Sequence, residues 1–144
     1  MPRIAFQDLP TLEHLGQTAQ GRLSADTMGA VAQFAVRWTD GQAVLLGEDA
    51  DVIVRQTSDH VEVYQPVVRW EGQSPVICGR LKRTLPDGAR HSEIVAAVRQ
   101  VRRLRRKAFR RCSQCRDMAA PEHIGSYGGQ RLCHGCMESR GVVF

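Results

Sequence analysis

Cys112-Ser113-Gln114-Cys115 and Cys133-His134-Gly135-Cys136 are two Cys-x-x-Cys pairs with seventeen residues between them, and the rest of the chain is organised around them. Each Cys-x-x-Cys turn aims two sulfurs at one point. Two such turns complete the tetrahedron that Zn2+ accepts, with Zn–S about 2.3 Å. The spacing fits a structural site whose ligands are Cys112, Cys115, Cys133 and Cys136. The alternative, pairing of the same thiols as disulfides, requires an oxidising compartment that nothing in the sequence implies. Cys78 is left over.

Immediately before the first pair lies the strongest charge feature. Residues 94–116 hold Arg99, Arg102, Arg103, Arg105, Arg106, Lys107, Arg110, Arg111 and Arg116, with no acid among them. Subtracting these nine from the chain's 20 basic residues leaves 11 against 15 acidic ones, so this one segment makes the net charge +5. The same stretch has helical periodicity. Ile94, Ala97, Val98, Val101, Leu104 and Ala108 recur at steps of three or four, which predicts a long helix from about Ser92 with an apolar stripe on one side and the arginines on the other.

Further back the apolar period is two. Phe34-Ala35-Val36-Arg37-Trp38 and Ala43-Val44-Leu45-Leu46, joined by Thr39-Asp40-Gly41-Gln42, form a hairpin signal. Asp51–Gln56 and His60–Gln65 form a second, with its turn near Ser58-Asp59. Pro66 interrupts the run before Val67-Val68-Arg69-Trp70 resumes it, which predicts a bend or an edge position. Ser74–Leu81 reads as a fifth strand, ahead of a Pro86-Asp87-Gly88 turn. At the N-terminus, Thr11–Gly16 and a Ser24 cap before Met28–Val31 are helix signals. The expected fold is α+β: a five-stranded antiparallel meander with a long amphipathic helix, plus a C-terminal four-cysteine, zinc-ribbon-like module. Residues 1–111 form the body and 112–144 a metal module docked on it, because no Gly/Ser-rich linker separates them; Gly141–Phe144 is expected to tuck back in that docking.

In this region the cysteines resemble the zinc-ribbon and treble-clef group of small zinc domains, over about Cys112 to Gly141. The resemblance implies two knuckles joined by a hairpin around structural Zn2+. A full treble clef follows its second knuckle with a helix longer than the eight residues left here, so a ribbon-like or truncated form is expected. Members of the group bind DNA, RNA or protein, or only stabilise their host.

Composition narrows the class further. Hydrophobic content of 42% and charged content of 24% are those of an ordinary soluble protein. No apolar run approaches a membrane span of about 18 residues, and the first residues lack a secretory signal, so a cytoplasmic, bacterial-type protein is expected. The catalytic inventory is thin. His91-Ser92-Glu93 with Cys112-x-x-Cys115 resembles the zinc nucleobase deaminases in residue types, but Arg111 stands where they place proline and a second cysteine pair would go unused. Glu122-His123 with Leu132-Cys133 resembles zinc-bearing His-Asn-His nucleases, but Met137 occupies the position of their histidine. Cys78, Trp38 and Trp70 read as core or sheet-face residues.

The expected function is non-enzymatic binding. The nine basic residues would contact nucleic acid or another acidic macromolecule, such as an acidic protein surface, through phosphates or carboxylates. The alternative is a protein-binding inhibitor, an immunity protein or antitoxin neutralising a cognate toxin through the acidic segment around Glu48, Asp49 and Asp51. No membrane partner is expected.

Overall fold

The structure, a computed structural model, describes residues 8–19, 23–40 and 43–142, with the side chains of Trp38 and Asp40 outside the description. The chain's first seven residues, the Gly41-Gln42 part of the first turn and the terminal Val143-Phe144 lie outside the described residues.

Five strands form one antiparallel sheet in sequence order: β1 (Val36–Asp40), β2 (Ala43–Leu46), β3 (Val52–Gln56), β4 (His60–Glu71) and β5 (Ser74–Pro86). This is the meander expected from the alternating apolar runs. The last two strands are longer than the others. β4 continues through Pro66, which pairs with Gly79 of β5. Proline is tolerated there because β3 reaches β4 only from Val61 to Tyr64, so beyond Tyr64 the β3 side of β4 needs no ladder donor. The expectation of an edge position at Pro66 is thus met on one side of the strand.

Both faces of the sheet are covered. On one, the helix α3 (His91–Arg106) lays Ile94, Val98 and Val101 over Val44, Val52, Val54, Val61 and Val63, and the short α2 (Ala25–Val31) adds Ala30 and Val31 to the same core. On the other, α1 (Leu12–Thr18) packs Leu12 and Leu15 on Leu45, Ile53 and Tyr64. Gly79 lets α1 approach closely: a Cβ at that position would sit 2.9 Å from Leu15 Cδ1. Thr11 and Ser24 cap the two helices, accepting from the backbone N–H of His14 and Thr27.

One residue breaks the expected division of α3 into apolar and basic sides. Arg105 is only 3% exposed. It falls in register with the stripe Ile94, Val98, Val101 and Phe109, so it belongs to the buried side. The apolar positions expected at Leu104 and Ala108 are only half-buried, and Ala108 lies past the end of the helix.

Candidate metal centre and basic face

The chain turns from α3 into β6 (Arg110–Arg111), which pairs with β7 (Met118–Ala119). The first cysteine pair sits in the connection between these strands. Asp117 O accepts from Cys112 N at 2.9 Å and Cys112 O accepts from Arg116 N at 3.1 Å, closing the knuckle. Arg116 closes it in the left-handed region, at φ +70°. A 3-10 turn (Pro121–His123) then leads into the hairpin of β8 (Ile124–Tyr127) and β9 (Gln130–Cys133). Its two-residue turn, Gly128-Gly129, has both φ values positive, at +58° and +79°, which suits a right-twisted hairpin and favours glycine.

The second cysteine pair is built differently from the first. Cys133 is the N-cap of α4 (His134–Ser139), and Cys136 lies within that helix. The module is therefore a knuckle, a hairpin and a short helix, and its two cysteine pairs are not equivalent. Gly141, at φ +87°, ends α4 and lets Val142 N donate to Met137 O at 3.0 Å. Val142 packs against Cys112, Leu132, Cys136 and Met137, within the module itself and not on the body, and the rest of the expected tail, Val143-Phe144, lies outside the described residues.

All four cysteines carry free thiols, and their Sγ atoms lie within 4.8 Å of one another, with Cys115 and Cys133 Sγ at 3.8 Å. A metal held by four sulfurs at about 2.3 Å requires S–S separations of about 3.8 Å, so the donor set fits one tetrahedral ion. Cys112 Sγ also accepts from two backbone N–H groups, Cys133 N at 3.3 Å and Gln114 N at 3.4 Å. The Cys133 donor, seconded by those of Cys115 and Gln114, holds the Cys112 thiol down to about 6, whereas burial pushes Cys136 up to about 12. Such donors stabilise thiolate and would orient it toward a bound ion. Among the described residues no further group of three or more His, Cys, Asp or Glu side chains converges in this way. His123 and His134 stack edge to face at 5.7 Å, and the half-exposed Trp70 lies 6.2 Å from His134, beside the module and not in the core.

The nine basic residues separate into distinct environments. Arg105 forms a two-pronged ion pair with Glu122 of the module and also donates to the carbonyls of Ala50 and Asp49, each at 3.2 Å. Arg106 grips the buried Asp51 with two hydrogen bonds of 2.9 Å and reaches Asp49 at 3.5 Å; Asp51 holds its guanidinium above the usual arginine range. Arg102 lies 3.8 Å from the same Asp51. By contrast Arg99, Arg103 and Lys107 are exposed and have no carboxylate partner among the described residues. Arg110 is exposed and caps the helix end by donating to Lys107 O and Phe109 O; Arg111 donates to Arg116 O, and both Arg111 and Arg116 remain exposed. Carbonyl partners leave their charge uncompensated.

Two further exposed arginines lie outside the basic segment. Arg140 donates to Gln114 at 2.8 Å, and Arg131, through its backbone oxygen, accepts from Ser113 N at 2.8 Å. Both are exposed and stand beside the first knuckle. Their proximity follows from the convergence of the four cysteines, which brings β9 and α4 against Cys112–Cys115, and no linear charge count signals it.

Compared with known protein families, with curated proteins and with solved structures, the chain matches none. Among the described residues no helix is long and apolar enough to cross a membrane.

Proposed function

We propose that the protein is a non-enzymatic binding protein in which one structural Zn2+, held by Cys112, Cys115, Cys133 and Cys136, supports a basic surface for nucleic acid or another polyanion. The observation that carries the reading is the row Arg99, Arg103 and Lys107 along exposed α3, cations without a carboxylate partner among the described residues, running into the exposed Arg110, Arg111 and Arg116. Four thiolates close the tetrahedron, so the ion contributes folding free energy and offers no open position for substrate. The half-exposed position of the knuckle, with Cys115 at the surface, suits a metal that stabilises a short module lacking a large core of its own.

The inhibitor reading draws less support. Of its acidic segment Asp51 is buried under Arg106 and Arg102, which leaves only Glu48 and the half-exposed Asp49, itself 3.5 Å from Arg106, to face a partner. The same pairs determine which residues a test must change. Charge reversal at Arg102 or Arg106 would set a like charge against the buried Asp51 and confuse lost stability with lost binding, so the informative variant is Arg99→Glu with Arg103→Glu and Lys107→Glu.

The experiment is electrophoretic or anisotropy binding of labelled nucleic acid at low and moderate salt, wild type beside that triple variant. Binding that weakens with salt and is lost in a folded triple variant is the expected result. Equal binding by both proteins, or none by either, would refute the reading.

A further inference from the structure

We infer that the polyanion is double-stranded nucleic acid gripped by its phosphate backbone, without base readout and without base stacking. This rests on the polyanion reading and specifies the ligand of that same surface.

The first argument is geometric. Arg99 and Arg103 lie four residues apart on α3 and Lys107, its C-cap in helical backbone geometry, continues the spacing, so successive cations advance by about 6 Å and the row covers about 12 Å. Duplex phosphates form an equally regular row, one per about 3.4 Å of axis along each strand. A fixed row of charges complements a fixed row; a flexible strand gains nothing from that rigidity.

The second argument concerns what the face lacks. Proteins that hold single strands stack successive bases on exposed aromatic rings. α3 carries no Phe, Tyr or Trp. Phe109, the aromatic that follows it, is 5% exposed and covered by the Arg105 and Arg106 guanidinium groups at 5.3 and 4.8 Å from its ring centroid. It is spent on holding those two arginines in place. The half-exposed Trp70, against His134, and Tyr127, at the end of β8 near Arg131, are two separate rings that form no row along α3.

The third argument concerns specificity. Readout of adenine edges relies on Asn or Gln amides presented into a groove by a surface that also anchors on phosphates. Of the amides on α3 only Gln100 is present, and Arg83 of β5 engages it. Beyond the helix, Arg111, Arg116, Arg131 and Arg140 surround the first knuckle and extend the same kind of contact. They bring the phosphate count to about six or more, for which duplex affinity falls about a thousandfold between about 50 and 200 mM salt.

The test uses the full zinc-loaded chain and fluorescent oligonucleotides of one length: duplex DNA in two unrelated sequences, duplex RNA, and single-stranded DNA. The expected result is that a duplex binds at least tenfold tighter than the single strand. The two DNA sequences should bind alike, and Arg103→Ala should reduce the salt slope by about one phosphate contact. Tighter binding of either duplex DNA or duplex RNA supports the inference and identifies its source. Single strands binding as well as or better than the duplexes would overturn the inference while leaving the polyanion reading intact, and strong preference between the two DNA sequences would overturn the backbone-only grip. Failure of all four to bind would overturn both.

Discussion

Arg105 of α3 and Glu122 of the metal module form an ion pair whose side chains are only 3% and 6% exposed. It joins the helix to the module across the covalent link through Phe109 and β6, beside the contact of Trp70 with His134. Arg105 also donates to the carbonyls of Asp49 and Ala50, so one guanidinium ties the β2–β3 turn, the helix and the module together. A buried pair of this kind is expensive to break from one side, because the surviving charge remains desolvated.

Glu122→Gln or Arg105→Ala should therefore destabilise the protein by about 3–5 kcal/mol, measured by denaturant unfolding. Replacing both residues together, Arg105→Met with Glu122→Leu, should recover much of that loss, since no unpaired charge remains. A double replacement as damaging as the sum of the singles would contradict the coupling.

Arg106 and Arg103 stand three residues apart and should respond differently to the same substitution. Arg103→Glu changes an exposed position with no carboxylate partner among the described residues and should shift stability by less than about 0.5 kcal/mol. Arg106→Glu removes both hydrogen bonds to the buried Asp51 and sets a like charge against it, so it should cost about 3 kcal/mol or more. Thermal denaturation of the two variants decides the matter.

The contrast between these arginines also marks how far the sequence is legible. The five strands follow from period-two apolar runs, and the convergence of Cys112, Cys115, Cys133 and Cys136 from cysteine spacing, because both signals are short-range. The fate of the arginines is not local. Asp51 lies 55 residues from Arg106 and Glu122 lies 17 from Arg105, so the acids that neutralise them do not appear in any window of the basic segment. One clue existed for Arg105: it falls on the apolar stripe, four residues from both Val101 and Phe109. Coverage of the second sheet face by α1 was equally hidden, since a seven-residue helix containing Gly16 has a weak signal of its own and forms because Leu12 and Leu15 find Leu45, Ile53 and Tyr64.

At the first knuckle, Arg116 occupies a left-handed conformation that costs a non-glycine residue about 1–2 kcal/mol. Arg116→Gly should stabilise the module, with an upper limit of about that amount less the entropy gained by the unfolded glycine. It should also weaken polyanion binding by removing one cation. Thermal unfolding and salt-dependent binding of the same variant separate the two effects, and a destabilised Arg116→Gly would show that the arginine side chain supports the knuckle.

Glu62 supplies a pH dependence. Burial alone would raise its carboxyl, but hydrogen bonds from Arg55 and Tyr64, the Arg55 charge and His60 outweigh it and hold the group below the usual carboxylate value. A folded-state value below the unfolded one means that the contribution to stability is complete above the unfolded value of about 4.5 and is lost as pH falls through the folded one. The stability gap between wild type and Glu62→Gln should thus be constant near neutral pH and narrow in acid. A gap that widened in acid would contradict the assignment.

The claim on which the rest depends is that four thiolates hold one zinc ion and that this ion organises the module beside the basic helix. Metal analysis of the chain purified without added metal, with its folding followed through a chelator titration, tests this most directly. About one zinc per chain is expected, with loss of the 112–142 module's order and a lower Tm as the ion is withdrawn. A chain that carries no metal, yet keeps the module folded and its melting unchanged by chelator, would contradict it.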